Sequence, residues 1–296
     1  MKKYSRLKSD LRRLYFFQHK QRQCSRADIY LDEDCPACTF QFYLYKGEIF
    51  MSNITLVTGA SERVGRAIAI TLAKQGATIA VHYHSNKEQA EQTAAQIKAL
   101  GGQAQTFQAD LASFEAVQQL QTEIERSLGT VTSVVNNAGY AQLKSFFDYS
   151  PLEWQKEIDI CLNGLLHLAY VFLPKMKEQK CGKLITLIGD SARTGDRKLI
   201  VSATARGGVI SFIKSIAQEV GRYQIQCNVV SLGLIDQDDL HFTPEIEKQV
   251  LKGYPLQRLG KAQDVSDAVA FLASEKSNWI TGQIIPINGG HSALGS

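Results

Sequence analysis

From Asn53 to the C-terminus, short β-branched and apolar runs alternate with longer stretches of helical period, and this alternation constrains the chain more than any other feature. The runs are Ile54–Thr58, Thr78–Tyr83, Ala104–Ala109, Ser133–Asn136, Leu184–Ile188, Cys227–Ser231 and Gln283–Ile287. Parallel strands need crossover connections and a helix is the usual one, so the alternation predicts a parallel sheet with helices on both faces. Helices are expected at Gly65–Gln75, closed by Gly76, at Lys87–Leu100, closed by Gly101 and Gly102, and at Ser113–Leu128, closed by Gly129, because glycine readily takes the left-handed conformation that ends a helix. Three more are expected at Pro151–Gln179, Ser202–Arg222 and Ala262–Ser274, with Pro174 ending or kinking the first of them. Seven strands over residues 51–296 make one doubly wound α/β domain.

Charge sets residues 1–50 apart from that domain. Of 33 Lys/Arg and 29 Asp/Glu, ten and six precede Met51, leaving 23 of each after it. A globular part of zero formal charge offers no field for nucleic acid. No run of 18 apolar residues occurs, and the basic start leads only into Leu14–Phe17, too short for the core of a signal peptide. Cys161, Cys181 and Cys227 are widely spaced, as free thiols in a reducing compartment would be. A soluble, cytoplasmic protein without membrane contact is expected.

Residues 1–50 show no sustained apolar period, although ten of the chain's aromatic residues lie there. His19, Cys24, Cys35 and Cys38 include one Cys-x-x-Cys step of zinc-knuckle spacing. Arg12–Phe17 has the basic aromatic make-up of a membrane-surface helix. A single Cys-x-x-Cys is weak support for a metal and a short basic run is ordinarily solvated, so neither is expected. Lys46-Gly47-Glu48 back-translates, within codon freedom, to a purine-rich AAAGGAGAA that stands six bases before the Met51 codon. That is the layout of a bacterial ribosome-binding site, so residues 1–50 are expected to be a disordered extension or a translated leader. Peptides from Ser5–Tyr45 in a mass spectrum of the native protein would contradict the leader.

The first strand runs directly into Thr58-Gly59-Ala60-Ser61-Glu62-Arg63-Val64-Gly65, which opens the first helix. Gly59 and Gly65 lack Cβ, so the turn can be tight and its N–H groups, around Ser61, Arg63 and Val64, can approach a pyrophosphate at the positive helix end. A glycine pair alone is a weak signal, but between a strand and a helix it marks a nucleotide site. NAD binders place an acid near the end of the next strand for the ribose 2′-hydroxyl, whereas a basic residue suits a 2′-phosphate. No acid lies between Val81 and Lys87, and Arg63, His84, Ser85 and Asn86 offer donors there. NADP(H) is therefore expected over NAD(H), the bland alternative being a solvated Arg63 on a loop.

Thr58-Gly59…Gly65, Asn136-Asn137-Ala138-Gly139 and Thr281-Gly282…Asn288-Gly289-Gly290, with Pro255–Gly260 and Asp264-Val265 before the last, occur in order. With these motifs the chain resembles the short-chain dehydrogenase/reductase family from Asn53 to its end. The resemblance implies a Rossmann-like fold, a nicotinamide cofactor and an oxidoreductase acting between CH–OH and C=O. It implies that Asp110 and Leu111 contact the adenine, that Asn137, Ala138 and Gly139 line the adenosine ribose, and that Arg206, Gly233 and Ile235 complete the cofactor set. Arg63 stands at the family's middle glycine, and in this and in His82-Tyr83-His84 the chain is similar to the pteridine-reductase branch.

The family's catalytic set is a Tyr, a Lys four residues later, a Ser thirteen residues before the Tyr, and an upstream Asn. Gly207–Ser215 matches the helix after the Lys, which puts Arg206 at the Lys and Ser202 at the Tyr. Gly182–Ile188 independently puts Gly189 at the Ser, and counting seven from Trp154 puts Cys161 at the Asn. All four positions are replaced. Ser202 is an alkyl hydroxyl and far too weak an acid without a strong partner, Gly189 donates nothing from a side chain, and Arg206 can still hold ribose hydroxyls. Asp190 reads either as a displaced acid whose pKa an apolar pocket raises or as an exposed loop carboxylate. Ser191, Tyr140 and Tyr254 are further candidates.

Two functions follow from the resemblance: an NADP(H)-dependent oxidoreductase with a rebuilt acid/base set and a small-molecule substrate, or a catalytically inactive cofactor-binding protein serving binding or assembly. It also implies a homodimer or homotetramer, with Val209, Phe212, Ile213 and Ile216 fitting a buried face that could equally be a core face, and a substrate loop at Ile235–Pro255 that carries Asp236, Asp238 and Asp239.

Overall fold

The string Ile-Thr-Leu-Val at residues 54–57 is buried at every position, which is the mark of a strand covered on both faces. The computed structural model describes residues 42–45, 48–51, 53–236 and 242–292. Strands β1 (Phe42–Tyr45) and β2 (Glu48–Met51) pair antiparallel, an element for which residues 1–50 offer no periodic signal. The remaining strands are β3 (Ile54–Val57), β4 (Thr78–Tyr83), β5 (Gln103–Gln108), β6 (Ser133–Asn136), β7 (Gly182–Gly189), β8 (Ile225–Leu232) and β9 (Ile284–Ile287). They form one seven-stranded sheet, ordered β5-β4-β3-β6-β7-β8-β9, in which every neighbouring pair is parallel. The doubly wound α/β sheet expected from the alternation is the one the chain forms.

Helices cover both faces: α1 (Arg63–Lys74), α2 (Lys87–Ala99), α3 (Phe114–Ser127), α4 (Pro151–Ile158), α5 (Gly164–Gln179), α6 (Ser191–Thr194), α7 (Ile200–Val220), α8 (Pro244–Leu251) and α9 (Ala262–Ala273). Because side chains alternate along a strand, successive residues enter opposite cores. Leu56, Val134, Leu184 and Val229 pack with Leu120 of α3, Leu165 and Leu168 of α5 and Ile213 of α7. Val57, Val135, Ile185 and Val230 pack with Ile68 of α1, Ile97 of α2 and Val265 of α9. Val209 and Ile213, whose stripe suits a subunit face and a core face alike, are 1% and 0% exposed within the protomer's own core, and Phe212 and Ile216 pack against it. An intersubunit stripe and a core stripe share one helical period, and here the core takes it.

The helix expected over Pro151–Gln179 is interrupted by a π-helical turn at Asp159–Asn163. Pro174 neither starts nor ends a segment, since α5 continues through it to Gln179. The Gln121 amide donates to the Val171 carbonyl at 3.1 Å, one residue on from Tyr170, whose carbonyl Pro174 leaves without its helical donor and which is itself an exposed residue. The stretches around α4–α5 and α7 are long and apolar enough to cross a membrane by length and composition, yet their apolar residues supply the sheet's cover. The expected substrate loop contains α8, and residues 237–241, with Asp238 and Asp239, lie outside the described residues, as do His19, Cys24, Cys35, Cys38 and the basic aromatic start.

From β3 the chain winds outward through β4 to β5, then returns to place β6 on the other side of β3. Strand order reverses there, and the loops leaving the carboxyl ends of β3 and β6 part to form a crevice.

Candidate functional site

The crevice is bounded by the two loops that the topology separates. Thr58 Oγ1 accepts the N–H groups of Asn137 and Ala138, each at 3.0 Å, and donates to Asn136 Oδ1 at 2.9 Å. The Asn137 amide donates to the carbonyls of Thr58 (3.1 Å) and Gly59 (3.0 Å). Small and amide residues occupy this stretch because the loops cross almost in contact. A Cβ on Gly65 would stand 2.0 Å from the Gly59 carbonyl oxygen, and one on Gly59, at φ +60°, 3.1 Å from Ala138 Cα.

Between the loops opens a cleft of about 870 Å³. One end is lined by Gly59, Ser61, Arg63, Val64 and Gly65 of the turn and by His84, Ser85 and Asn86 after β4. Asp110 and Leu111 follow from β5, then Asn137, Ala138 and Gly139 from β6, and Arg206 of α7 closes the far end with Tyr140 and Lys156. Gly233 and Ile235 are not on this wall: Gly233 packs against Asn288 and Tyr254, and Ile235 is 4% exposed and bridged to Gly260.

The residues fit a dinucleotide. Helix α1 has no acidic residue in its first turn and its N-cap Glu62 makes no side-chain capping bond, so its leading N–H groups suit an anion. Arg63 holds φ at +52°, a left-handed conformation that costs a non-glycine residue about 1 kcal/mol. Arg66 secures the turn from behind, donating to the Ser61 carbonyl at 2.7 and 3.1 Å and to Thr93 Oγ1 at 3.0 Å.

His82 has a part that sequence reasoning missed. Its ring is 1% exposed and ties three loop ends together, since Gly59 N–H donates to Nδ1 at 3.2 Å and Nε2 stands 3.2 Å from the Ala109 carbonyl. With Nδ1 accepting, the neutral ring carries its proton on Nε2 and donates it. Burial lowers its pKa from 6.5 to about 4, with the Ala109 bond opposing and His84 adding to the fall. The unfolded chain then takes up this proton first on acidification, so the contribution is fully present above pH 6.5 and is lost as pH falls toward 4. It amounts to about 3 kcal/mol. Thermal melts between pH 7 and 4 should show this loss, and His82→Gln, which can keep both bonds without titrating, should remove it; equal losses in both proteins would contradict the assignment.

The four tetrad positions carry other side chains and other bonds. Ser202 is 3% exposed and accepts from Arg206 Nη1, so its hydroxyl lies inside the fold against Arg206. Cys161 sits on the π-helical turn and donates its thiol to the Tyr140 carbonyl at 3.0 Å. Gly189 ends β7, where a Cβ would meet nothing closer than Ser191 Oγ at 3.5 Å. Ser191 is 7% exposed, and Tyr254, also 7%, accepts the Leu234 N–H at 2.9 Å and is shifted upward in pKa by burial, opposite to what an acid catalyst needs.

Asp190 fits neither reading given above. It is 5% exposed rather than on the surface, and Oδ1 accepts from Ser231 Oγ at 2.8 Å and Arg193 Nη1 at 3.1 Å while Oδ2 accepts from Asn288 Nδ2 at 2.8 Å. Burial alone would raise its pKa, but the bonds from Asn288, Ser231 and Ser292 and the charge of Arg193 outweigh it and hold the carboxyl below its ordinary value. It is a fixed carboxylate that ties the C-terminal segment to β7.

A family model described as enoyl-(acyl carrier protein) reductase matches residues 59–292. The 3-oxoacyl-(acyl-carrier-protein) reductase FabG of Staphylococcus epidermidis is 34% identical over 241 residues, covering 81% of this chain and 99% of the relative. That of Pseudomonas aeruginosa is 33% identical over 239 residues, covering 80% and 96%. Among solved structures, one described as a gluconate dehydrogenase from Agrobacterium tumefaciens superposes with a TM-score of 0.78 at 26% identity, covering 81% of this chain and 95% of that one.

Proposed function

Because the chain belongs to the short-chain dehydrogenase/reductase family, we propose that it is an NADP(H)-dependent oxidoreductase that reduces the carbonyl of a small molecule or oxidises the matching alcohol. The observation that carries this reading is the cradle: Gly59 and Gly65 leave the backbone open, the first turn of α1 after its N-cap Glu62 holds no acid, and β4 runs out into His84, Ser85 and Asn86 rather than a carboxylate. In this reading the leading N–H groups of α1 hold the pyrophosphate, Arg63 with His84 and Ser85 holds the 2′-phosphate, and Asp110 and Leu111 flank the adenine. Arg206, steadied by Ser202, holds the nicotinamide ribose. When bound, the cofactor supplies a hydride. Because curated relatives carry the name 3-oxoacyl-(acyl-carrier-protein) reductase, a 3-oxoacyl thioester is the first carbonyl to try.

Family membership also favours a homodimer or homotetramer in the cytoplasm, with exposed Leu166 and Tyr170 of α5, not Val209 and Ile213, facing a partner copy. Arg63→Glu should weaken NADPH about tenfold or more while changing NADH little, since only the former carries the extra phosphate; equal losses for both would remove Arg63 from the phosphate site. Following NADPH oxidation against a panel of 3-oxoacyl thioesters and simple ketones tests the function. Turnover supports it, whereas NADPH binding without turnover on any carbonyl would favour a cofactor-binding protein that has lost hydride transfer.

A further inference from the structure

Reducing a carbonyl requires a proton for the oxygen that becomes the alcohol, and the inner end of the cleft offers few groups able to give one. Asp190 and Ser202 are enclosed by partners inside the fold. Tyr140 and Lys156, by contrast, both line the cleft, and the Lys156 ammonium stands 5.0 Å from the centroid of the Tyr140 ring. Tyr140 follows Gly139, over which Arg206 Nη2 lies so closely that a Cβ there would be 2.9 Å away. The Tyr140 backbone thus adjoins the Gly139–Arg206 contact on the cleft wall.

The loop presenting Tyr140 is fastened from behind. Its N–H donates to Cys161 Sγ at 3.4 Å and its carbonyl accepts from the same sulfur at 3.0 Å. Glu157, 0% exposed, accepts from the Gln142 N–H and from the Tyr149 hydroxyl, each at 2.8 Å. Burial and this carboxylate push the Tyr149 hydroxyl up to about 12, so it remains a donor. Glu157 Oε2 has no partner. A fully buried carboxylate is costly, and what this one does is hold the segment from Gln142 to Tyr149 against α4.

We propose that Tyr140, assisted by Lys156, is the general acid of this cleft. The proposal rests on the oxidoreductase reading above. A bound reduced nicotinamide would supply the hydride to the carbonyl carbon; as the C=O π pair moved onto oxygen, the Tyr140 O–H bond would break and the alcohol O–H form. The phenolate left behind lies under the Lys156 ammonium, 5.0 Å from the ring centroid, and is reprotonated from water at the open cleft. In alcohol oxidation the same groups run in reverse.

Tyr140→Phe keeps the ring and the backbone pair with Cys161, so the variant should fold and bind NADPH as wild type does. Its kcat should fall about 100-fold or more and that of Lys156→Gln about tenfold, with NADPH affinity within about threefold of wild type in both. A crystal structure of the NADP⁺ complex gives a readout independent of turnover: Tyr140 Oη should lie within about 3 Å of the carbonyl-oxygen position over the nicotinamide. A Tyr140→Phe variant that retains wild-type kcat, or a phenol turned toward the adenosine end in that complex, would overturn the proposal and leave the oxidoreductase reading standing. A wild-type protein that binds NADPH and reduces no carbonyl would overturn both.

Discussion

Replacing Gly65 by alanine is expected to abolish dinucleotide binding while the sheet remains folded. The added Cβ would stand 2.0 Å from the Gly59 carbonyl oxygen and 2.6 Å from Asn137 Nδ2. Neither neighbour can yield cheaply, since the first is backbone and the second is the amide that holds the Thr58 and Gly59 carbonyls. Relief requires the turn to move away from β6, which closes or skews the crevice where the pyrophosphate would sit. Overpacking of this kind costs about 1–3 kcal/mol in stability, and a displaced turn should raise the NADPH Kd about 100-fold or more, equivalent to roughly 3 kcal/mol. Gly207→Ala is the matched control, because nothing lies within 4 Å of its Cβ position in α7. It should leave binding unchanged and stabilise slightly, by about 0.5–1 kcal/mol. NADPH binding by Gly65→Ala within threefold of wild type would show that the turn is not the binding element.

The second large effect is expected at Asp190. Asp190→Ala should lower stability by about 3–5 kcal/mol, because it leaves Arg193, Asn288 and Ser231 facing a vacated buried site. At this chain length that corresponds to a fall in Tm of roughly 10 °C. Were Asp190 instead the catalytic acid, the variant would keep its Tm and lose kcat, and thermal melts with NADPH oxidation measured on the same sample separate the two outcomes. The bonds to Asn288 and Ser292 also predict that the segment around Asn288 becomes protease-sensitive in the variant.

What could be read from the sequence and what could not divide along contact distance. The runs at Thr78–Tyr83 and Ser133–Asn136 were legible to the residue, because strand period, flanking turns and burial on both faces act within a few positions. So was the cradle, where Gly59 and Gly65 lie in one turn. Asp190 was not: Ser231 is 41 positions away and Asn288 98, and nothing local distinguishes a carboxylate enclosed by such donors from one in water. His82 was noted only in the His82-Tyr83-His84 string at the end of its strand, yet its role depends on Gly59 and Ala109 arriving from two other strands. The π-helical turn at Asp159–Asn163 left no mark in the helical period, since one turn shifts the apolar pattern too little to see. Val209 and Ile213 stayed undecided for another reason, as an apolar stripe on α7 serves a core and a subunit face equally well. Counting put Ser202 and Gly189 at the Tyr and Ser positions, but burial of Ser202 against Arg206 required the packed helix to be seen.

The central claim is that the crevice between β3 and β6 is an NADP(H) site. Fluorescence titration of the purified chain with NADPH and then NADH tests it most directly, with circular dichroism confirming that the sheet is intact. The account predicts saturable NADPH binding at least about tenfold tighter than NADH. Absence of saturable binding by a folded protein, or a preference for NADH, would contradict it.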